Sequence, residues 1–319
     1  MTDTHPSYKN ARISQTGSNS YISVIIPVYN DPDGIRDTLD SLVNQDYPAD
    51  SYEIIVADNG STDHTLDVVT EYTENYPQLI RLVVENTIQS SYAARNKGIL
   101  SSEGSIIAFI DADMSVENDY LTKINRSFIT DHCDYLACAV EIYFKNRTKS
   151  EIYNKIFGFP IRSYMDNAHY APTCCLVVRM TVFEEVGLFD SRLISSGDHE
   201  FGNRVYQSGH KFCYNPDIVM RHPARSSFRD LFFKLFRIGR GLEQLSFYYP
   251  ERYPRWNRLL NPLSYLPEMP GKLITSPDRL AIWEELSFDY KIVIYFIKWY
   301  LKLALRSGSL YEKLKRITA

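Results

Sequence analysis

The chain has 319 residues, a length that corresponds to one large domain or two ordinary ones. Hydrophobic residues make up 44% of it and charged residues 23%, which is typical of a globular protein and argues against a disordered or fibrous one. The formal net charge of -4 argues against a general nucleic-acid binder.

The first 110 residues alternate apolar strands with helical segments. Four short runs rich in β-branched residues are predicted as strands: 21–28, 52–57, 79–84 and 105–110. Helical spacing between them predicts helices at 35–43, at a segment ending at Thr70 and capped by Ser61 or Asp63, and at 91–100. This alternation predicts an α/β fold with a mostly parallel sheet flanked by helices.

Polar clusters follow three of the four predicted strands, at 29–31, 58–60 and 111–113. In parallel α/β sheets, ligands bind outside the carboxyl ends of the strands. The sequence therefore predicts a binding site at this edge of the sheet.

Asp111 and Asp113 stand one residue apart, directly after the fourth strand. Two carboxylates at this spacing can share one hard divalent cation, Mg²⁺ or Mn²⁺, or one can bind the metal while the other binds a ribose hydroxyl. The same string is common on protein surfaces, but its position after a buried strand favours a metal site.

Six motifs in order resemble glycosyltransferase family 2, whose members have the GT-A fold, over about residues 21–225. The matching strings are VIIPVYN at 24–30, IVADNGSTD at 55–63, ARNKG at 94–98, FIDAD at 109–113, GLFD at 187–190 and SGDHEF at 196–201, followed by Arg204. The resemblance implies a hexosyl-type glycosyltransferase that moves a sugar from a nucleotide-diphosphate sugar to the hydroxyl of a glycan, polysaccharide or lipid-linked acceptor. It also implies a metal-dependent single displacement with inversion.

The resemblance also implies roles for individual residues. Pro27, Tyr29, Asn30 and Asp58 would bind the nucleobase and ribose, Arg95 would lie near the phosphates or the DxD loop, Asp111 would approach the ribose or the metal, and Asp113 would ligate the metal, with His222 as a third ligand. Plainer roles stay open for three of them: a turn for Asp58, a surface ion pair for Arg95, and a structural or phosphate contact for His222.

Asp198 is the candidate general base, because inverting members of the family carry an acidic residue here near the start of a helix. It would remove the proton of the acceptor hydroxyl, a role that contributes roughly 10²–10⁴-fold to the rate. The usual acidic pair is reduced to Asp198, since Gly197 precedes it, and Glu200 is the fallback. Asp198 could also cap the helix that runs through Gln207.

The cysteines number five, with no CxxC pair. This pattern predicts reduced thiols in a cytoplasmic protein and no structural zinc. Cys174 and Cys175 stand where relatives usually have small residues and an asparagine that touches the sugar. The donor sugar of those relatives therefore cannot be assigned to this chain. The N-terminal residues lack the apolar core of a signal peptide, and no apolar run reaches 18 residues.

The last third of the chain differs in charge from the rest. Residues 225–319 hold 17 basic and 9 acidic residues, and helices are predicted at 228–245 and 289–306. Lys291, Lys298, Lys302 and Arg306 form a stripe about 80° wide on the second helix. Such a helix can lie on the cytoplasmic face of a membrane, or it can pack on the protein or in a dimer. We expect three parts: a flexible tail, 1–20; a GT-A catalytic domain, 21–225; and a helical extension, 226–319.

Two other functions are compatible with carboxylates on a parallel sheet. A nucleotidyltransferase that makes sugar nucleotides is one, although no glycine-rich basic phosphate loop follows the first strand. A non-catalytic protein that binds nucleotide sugars is the other, and the retained Asp111, Asp113 and Asp198 argue against it.

Overall fold

The computed structural model describes residues 19–254, 261–268 and 277–317, with the backbone alone at 277–280. The predicted tail, 1–20, lies outside these residues except for 19 and 20, as does part of the proline-rich segment after Tyr249. The strands are β1 (Ile22–Val28), β2 (Tyr52–Asp58), β3 (Ile80–Val84), β4 (Ile106–Phe109), β5 (Ser115–Val116), β6 (Tyr135–Tyr143), β7 (Leu176–Arg179) and β8 (Phe212–Pro223). The α-helices are α1 (Pro32–Leu42), α2 (Thr65–Asn75), α3 (Ser91–Ser101), α4 (Tyr120–Thr130), α5 (Lys149–Phe157), α6 (Ile161–Ala168), α7 (Met180–Val186), α8 (Gly197–Gln207), α9 (Phe228–Tyr248), α10 (Pro277–Glu284) and α11 (Phe288–Ile317).

The strands form a sheet of order β3-β2-β1-β4-β7-β6-β8-β5. The first four in this order are parallel, as the alternation of strands and helices predicts. β1 and β2 are almost wholly buried, which explains their continuous apolar sequence.

The strand register aligns the polar clusters. Val28 pairs with Asp58 at the ends of β1 and β2, and Ile25 pairs with Phe109 at the end of β4. The residues after these three strands therefore emerge at the same edge of the sheet.

The other half of the sheet contains antiparallel pairs. β7 pairs antiparallel with both β4 and β6, and β5 pairs antiparallel with β8. These pairings join segments far apart in the chain, so local sequence patterns do not reveal them.

A disulfide joins Cys133 and Cys213, whose Cα atoms are 5.9 Å apart. The prediction of reduced thiols is therefore wrong for this pair, whereas Cys138, Cys174 and Cys175 are buried free thiols. The backbone N–H groups of Asp134 and Tyr135 both donate to the Lys211 carbonyl, which brings the start of β6 beside the start of β8. The partners are 80 residues apart in sequence, so spacing gave no sign of the bond.

The described residues divide into two compact units. The sheet unit comprises 19–141, 161–192 and 197–222, and the helical unit comprises 142–160, 193–196 and the described residues from 223 onward. The helical unit thus includes α5, which lies inside the range predicted for the catalytic domain. The reason is apolar packing, because Ile152, Tyr153 and Ile156 of α5 share a core with residues of α9 and α11.

Helices α9 and α11 pack closely through small residues. A Cβ on Gly239 would collide with the Leu305 carbonyl, and a Cβ on Gly308 would collide with the Phe236 carbonyl. The Ser309 hydroxyl donates to the Gly239 carbonyl at 2.9 Å. Glycine is required at both positions because the backbones approach each other without room for a side chain.

Helix α11 is longer than predicted, and most of its predicted cation stripe contacts its own unit. Lys298 pairs with Glu268 at 2.7 Å, Lys302 donates to the Leu266 carbonyl at 2.9 Å, and Lys291 donates to the Glu284 carbonyl at 3.5 Å. Among the described residues, no helix combines the length and apolarity that crossing a bilayer requires.

Candidate functional site

The loops after β1 and β2 are joined by Asn30. Its backbone N–H donates to the Ser61 hydroxyl at 2.9 Å, and its side-chain oxygen accepts from the Thr62 N–H at 2.8 Å. Asn30 has a φ of 51°, a left-handed conformation that asparagine tolerates. Pro27 lies within β1, and the next loop residue, Tyr29, leaves 51% of its surface exposed. The loop after β1 is thus held by the hydrogen bonds of Asn30, and it presents one accessible aromatic ring, that of Tyr29.

Asp58 is fully buried at the end of β2 and forms a turn. Its carboxylate accepts from the N–H groups of Gly60 at 2.9 Å and Ser61 at 3.0 Å. The neighbouring Asn59 side chain donates to the carbonyls of Glu85 and Ile88, which fixes the loop after β3. The turn-forming role that the sequence left open for Asp58 is therefore present.

The predicted DxD loop lies beside a buried arginine. The Arg95 guanidinium, which is 4% exposed, contacts the Asp111 carboxylate at 2.5 Å. Arg95 also donates to the Ser91 carbonyl of its own helix α3. Because this ion pair occupies an Asp111 oxygen, Asp113 is the better placed of the two carboxylates for a metal.

Asp113 has a histidine as its neighbour. The Nε2 atom of buried His222, at the end of β8, is 3.9 Å from Asp113 Oδ1. Burial raises the pKa of Asp31, the cap residue of α1, and the nearby Asp113 carboxylate raises it further.

In the described part of the chain, no group of three or more metal-binding side chains is present. A carboxylate and an imidazole fit Mg²⁺ or Mn²⁺ when substrate phosphates and water supply the other ligands.

Asp198 lies in the first turn of α8. Its Oδ1 atom accepts from the His199 N–H at 2.9 Å, and the Tyr92 hydroxyl donates to the same oxygen at 3.4 Å. Burial raises the pKa of the Cys175 thiol, and the carboxylates of Asp111 and Asp198 raise it further. Helix α3 connects the two acidic residues, because its Arg95 contacts Asp111 and its Tyr92 contacts Asp198.

Glu200, the fallback base, has a different environment. It is fully buried, and Arg204 Nε contacts its two carboxylate oxygens at 2.9 and 3.0 Å. Arg204 also donates to the carbonyls of Val186, Gly187 and Leu188. These contacts give Glu200 a structural role and favour Asp198 as the base.

Three residues of this region were not singled out from the sequence. Tyr92 contacts Asp198, Asp31 lies near Asp113, and Asn96 holds the backbone of Phe189 through hydrogen bonds to its N–H and its carbonyl. Asp31 and Asn96 belong to motifs already recognised, at 29–31 and 94–98. Tyr92 precedes its motif and carried no signal of its own.

The fold and the acidic strand ends define a class, the GT-A glycosyltransferases. Solved structures of that fold are similar to this chain throughout. A mannosyltransferase from Pyrobaculum calidifontis, in complex with GDP-Man and Mn²⁺, superposes with a TM-score of 0.61 at 19% identity, covering 97% of this chain and 90% of the other. S. aureus TarS 1-349 in complex with UDP-GlcNAc gives 0.54 at 16% identity, covering 92% of each chain.

Sequence comparison gives the family. The model of glycosyl transferase family 2 matches residues 23–187. The glycosyltransferase AglE of Haloferax volcanii is 35% identical over 231 residues, covering 72% of this chain and 75% of that protein. A dolichyl N-acetyl-alpha-D-glucosaminyl phosphate 3-beta-D-2,3-diacetamido-2,3-dideoxy-beta-D-glucuronosyltransferase of Methanococcus voltae is 29% identical, covering 65% of this chain and 68% of that protein. The chain belongs to glycosyl transferase family 2, and the predicted fold and enzyme class are confirmed.

Proposed function

We propose that this glycosyltransferase moves a sugar from a nucleotide-diphosphate sugar to an acceptor hydroxyl by a metal-dependent single displacement that inverts the anomeric carbon. The observation that carries the proposal is that helix α3 contacts both acidic residues, through Arg95 to Asp111 and through Tyr92 to Asp198. It supports a site in which the donor phosphates and the general base meet.

Donor binding is assigned to the loops after β1 and β2. The exposed ring of Tyr29 offers a stacking surface for a nucleobase, and the buried Asp58 carboxylate would support the donor site by holding the turn at Gly60 and Ser61. The solved relatives are complexes with GDP-Man and UDP-GlcNAc, which supports a nucleotide-sugar donor here.

Asp113 and His222 would hold the divalent cation, while Arg95 keeps Asp111 oriented towards the ribose or the phosphates. Bound there, the cation would neutralise charge that develops on the leaving diphosphate. The Mn²⁺ complex of the Pyrobaculum relative supports this assignment.

Asp198 would accept the proton of the acceptor hydroxyl as its oxygen attacks the anomeric carbon. The new carbon–oxygen bond forms as the bond to the diphosphate breaks, so the configuration inverts. The position of Asp198 in the first turn of α8 suits a carboxylate, because the helix N-terminus stabilises its negative charge.

A donor screen tests this function. The full chain is incubated with labelled UDP-, GDP- and TDP-sugars and Mn²⁺, and the nucleotide products are separated, with the Asp198→Asn chain as the blank. We expect release of a nucleoside diphosphate from one donor class. Formation of a nucleoside triphosphate and a sugar 1-phosphate when pyrophosphate is added would instead indicate a nucleotidyltransferase, and binding without turnover would indicate a non-catalytic protein.

We further propose that the helical unit binds a membrane surface, where a lipid-linked acceptor would be met. The large apolar residues that α11 exposes fall within an arc of about 140° at 100° per residue. They are Phe288, Ile292, Phe296, Tyr300, Leu310, Tyr311, Leu314 and Ile317, here named the apolar arc.

Charge and one relative support a lipid surface as the occupant of the apolar arc. Residues 225–319 have an excess of eight basic over acidic residues, which complements anionic lipids. The name of the Methanococcus relative specifies a dolichyl phosphate-linked sugar. Because three lysines of the predicted stripe contact their own unit, apolar insertion rather than that stripe would supply most of the binding.

Liposome co-sedimentation tests the surface. The wild-type chain is compared with Phe296→Gln/Leu314→Gln, and with Ile129→Gln, which changes a similarly exposed apolar residue of α4. We expect binding to anionic vesicles to fall for the double variant alone. Equal sedimentation of all three chains would contradict the proposal, and a dimer lost in the double variant would assign the arc to self-association.

A further inference from the structure

Tyr92 occupies a junction within the sheet unit. It lies at the start of α3, where the Ser90 side chain caps the helix, and only 5% of its surface is exposed. Its ring packs on Phe189 with centroids 5.8 Å apart, and the Arg95 guanidinium lies 6.0 Å from the ring centroid. One buried ring therefore contacts the residue that orients the DxD loop.

The hydroxyl of the same residue meets Asp198 twice. It donates to Asp198 Oδ1 and accepts from the Asp198 backbone N–H, each at 3.4 Å. Both distances lie at the long end of hydrogen-bond geometry, so the hydroxyl bridges the carboxylate and the backbone N–H of one residue without a short bond to either. Since His199 N–H donates to the same Oδ1, two donors converge on this oxygen.

The residue before Asp198 has no side chain because Tyr92 fills the space. A Cβ at Gly197 would lie 2.8 Å from Cε2 and Cζ of the tyrosine ring, closer than real Cβ atoms come. The ring and the glycine are therefore matched, and together they hold the first turn of α8 against α3.

We propose that Tyr92 is the positioning residue of Asp198. By holding Oδ1 and the backbone N–H together, its hydroxyl fixes the rotation of the carboxylate and thus the direction in which it meets the acceptor proton. This inference rests on the proposed function, in which Asp198 is the general base.

Tyr92→Phe removes the hydroxyl and keeps the ring that contacts Arg95 and Gly197. With the donor that the wild-type chain turns over in the screen, we expect kcat to fall about 10-fold, while the donor KM and the melting temperature stay near wild type. Tyr47→Phe is the matched control, since it removes a buried hydroxyl that donates to the Ser20 carbonyl at 2.6 Å, outside the site. Its kcat should not change.

A double-mutant cycle separates this inference from the proposed function. If Tyr92 acts through Asp198, adding Tyr92→Phe to Asp198→Asn should cause no further loss of kcat. Multiplied losses, or wild-type kcat in Tyr92→Phe, would overturn the positioning role while leaving Asp198 as the base. Wild-type kcat in Asp198→Asn would overturn the base assignment and the positioning role together, and failure of the wild-type chain in the screen would overturn the function itself.

Discussion

The sheet unit and the helical unit differ in how their charged side chains are arranged. The sheet unit gathers carboxylates at the ends of buried strands, where Arg95 and backbone N–H groups hold them. The helical unit pairs many of its cations with its own carboxylates and carbonyls, as in the buried Glu312, which binds Arg240 at 2.8 Å and Gln244 at 2.9 Å. It leaves aromatic and aliphatic side chains exposed on α11 instead.

This difference predicts different tasks for the two units. Clustered carboxylates are costly in an isolated protein, and burial together with the nearby Asp113 carboxylate already raises the pKa of Asp31. A bound cation would therefore stabilise this acidic edge, and the cation would in turn attract an anionic ligand. Exposed apolar side chains are stabilised by a surface that removes them from water. We therefore expect changes in the sheet unit to alter turnover, and changes on α11 to alter where the protein binds.

The largest effect should come from removing the metal or its ligand. EDTA and Asp113→Ala should each reduce turnover to background, because charge on the diphosphate would no longer be neutralised. Asp67→Ala, at an exposed acidic residue of α2, is the control. Full activity in EDTA would show that turnover does not depend on a metal at the acidic edge. It would contradict the catalytic task that we expect of the sheet unit.

The base is next in size. Asp198→Asn keeps the side-chain size, so folding should survive while kcat falls by roughly 10²–10⁴-fold. Glu200→Gln should lower the melting temperature clearly and kcat only slightly, because it removes one partner of a buried ion pair with Arg204. Steady-state kinetics and thermal unfolding of both variants check this. A loss of kcat confined to Glu200→Gln would move the base to that residue.

The disulfide should contribute strongly to the stability of the sheet unit. It closes a loop of 80 residues, for which chain entropy predicts about 4–5 kcal/mol, although measured values commonly run at 2–4 kcal/mol. Urea unfolding of the wild type with and without reductant should differ by such an amount. Cys133→Ala/Cys213→Ala should not respond to reductant, and a wild type equally stable under both conditions would contradict the prediction.

The helical unit should be sensitive at its close helix contact. Gly239→Ala should cost about 1–3 kcal/mol despite the better helix propensity of alanine, since its Cβ meets the Leu305 carbonyl. Ser307→Ala, at an exposed position of α11, should stay within about 0.5 kcal/mol of wild type. Denaturant unfolding measures both. A free energy of unfolding for Gly239→Ala equal to that of the wild type would contradict the prediction, because it would show that α9 and α11 can move apart here without cost.

The smallest effect concerns pH. Burial lowers the pKa of His199 to about 4, so the unfolded chain, with an ordinary histidine, binds more protons as the pH falls below about 6.5. Stability should therefore fall on acidification, by about 1 kcal/mol between pH 7 and pH 5.5 from this residue. His199→Phe retains a ring against Tyr170 and should lose that part of the pH dependence. Identical pH profiles for both chains would contradict the assignment.

The sequence revealed the parallel half of the sheet and the edge that carries the site, because both depend on local patterns. Buried strands read as continuous apolar runs, and the polar residues at their ends follow directly. The Cys133–Cys213 bond and the Tyr92–Asp198 contact were not predicted, since they join residues 80 and 106 positions apart. The sequence left open whether the lysines of α11 face lipid or pack on the protein, because their contacts with the carbonyls of Leu266 and Glu284 depend on the folded chain.

The anomeric configuration of the product tests the central claim most directly. The donor identified in the screen is incubated with the wild-type chain, with acceptor or with water alone, and early product is recorded by ¹H NMR before the anomers equilibrate. A single displacement with Asp198 as the base predicts the configuration opposite to that of the donor. Product with the donor's configuration would contradict the account, because it requires a second displacement or a different reaction path.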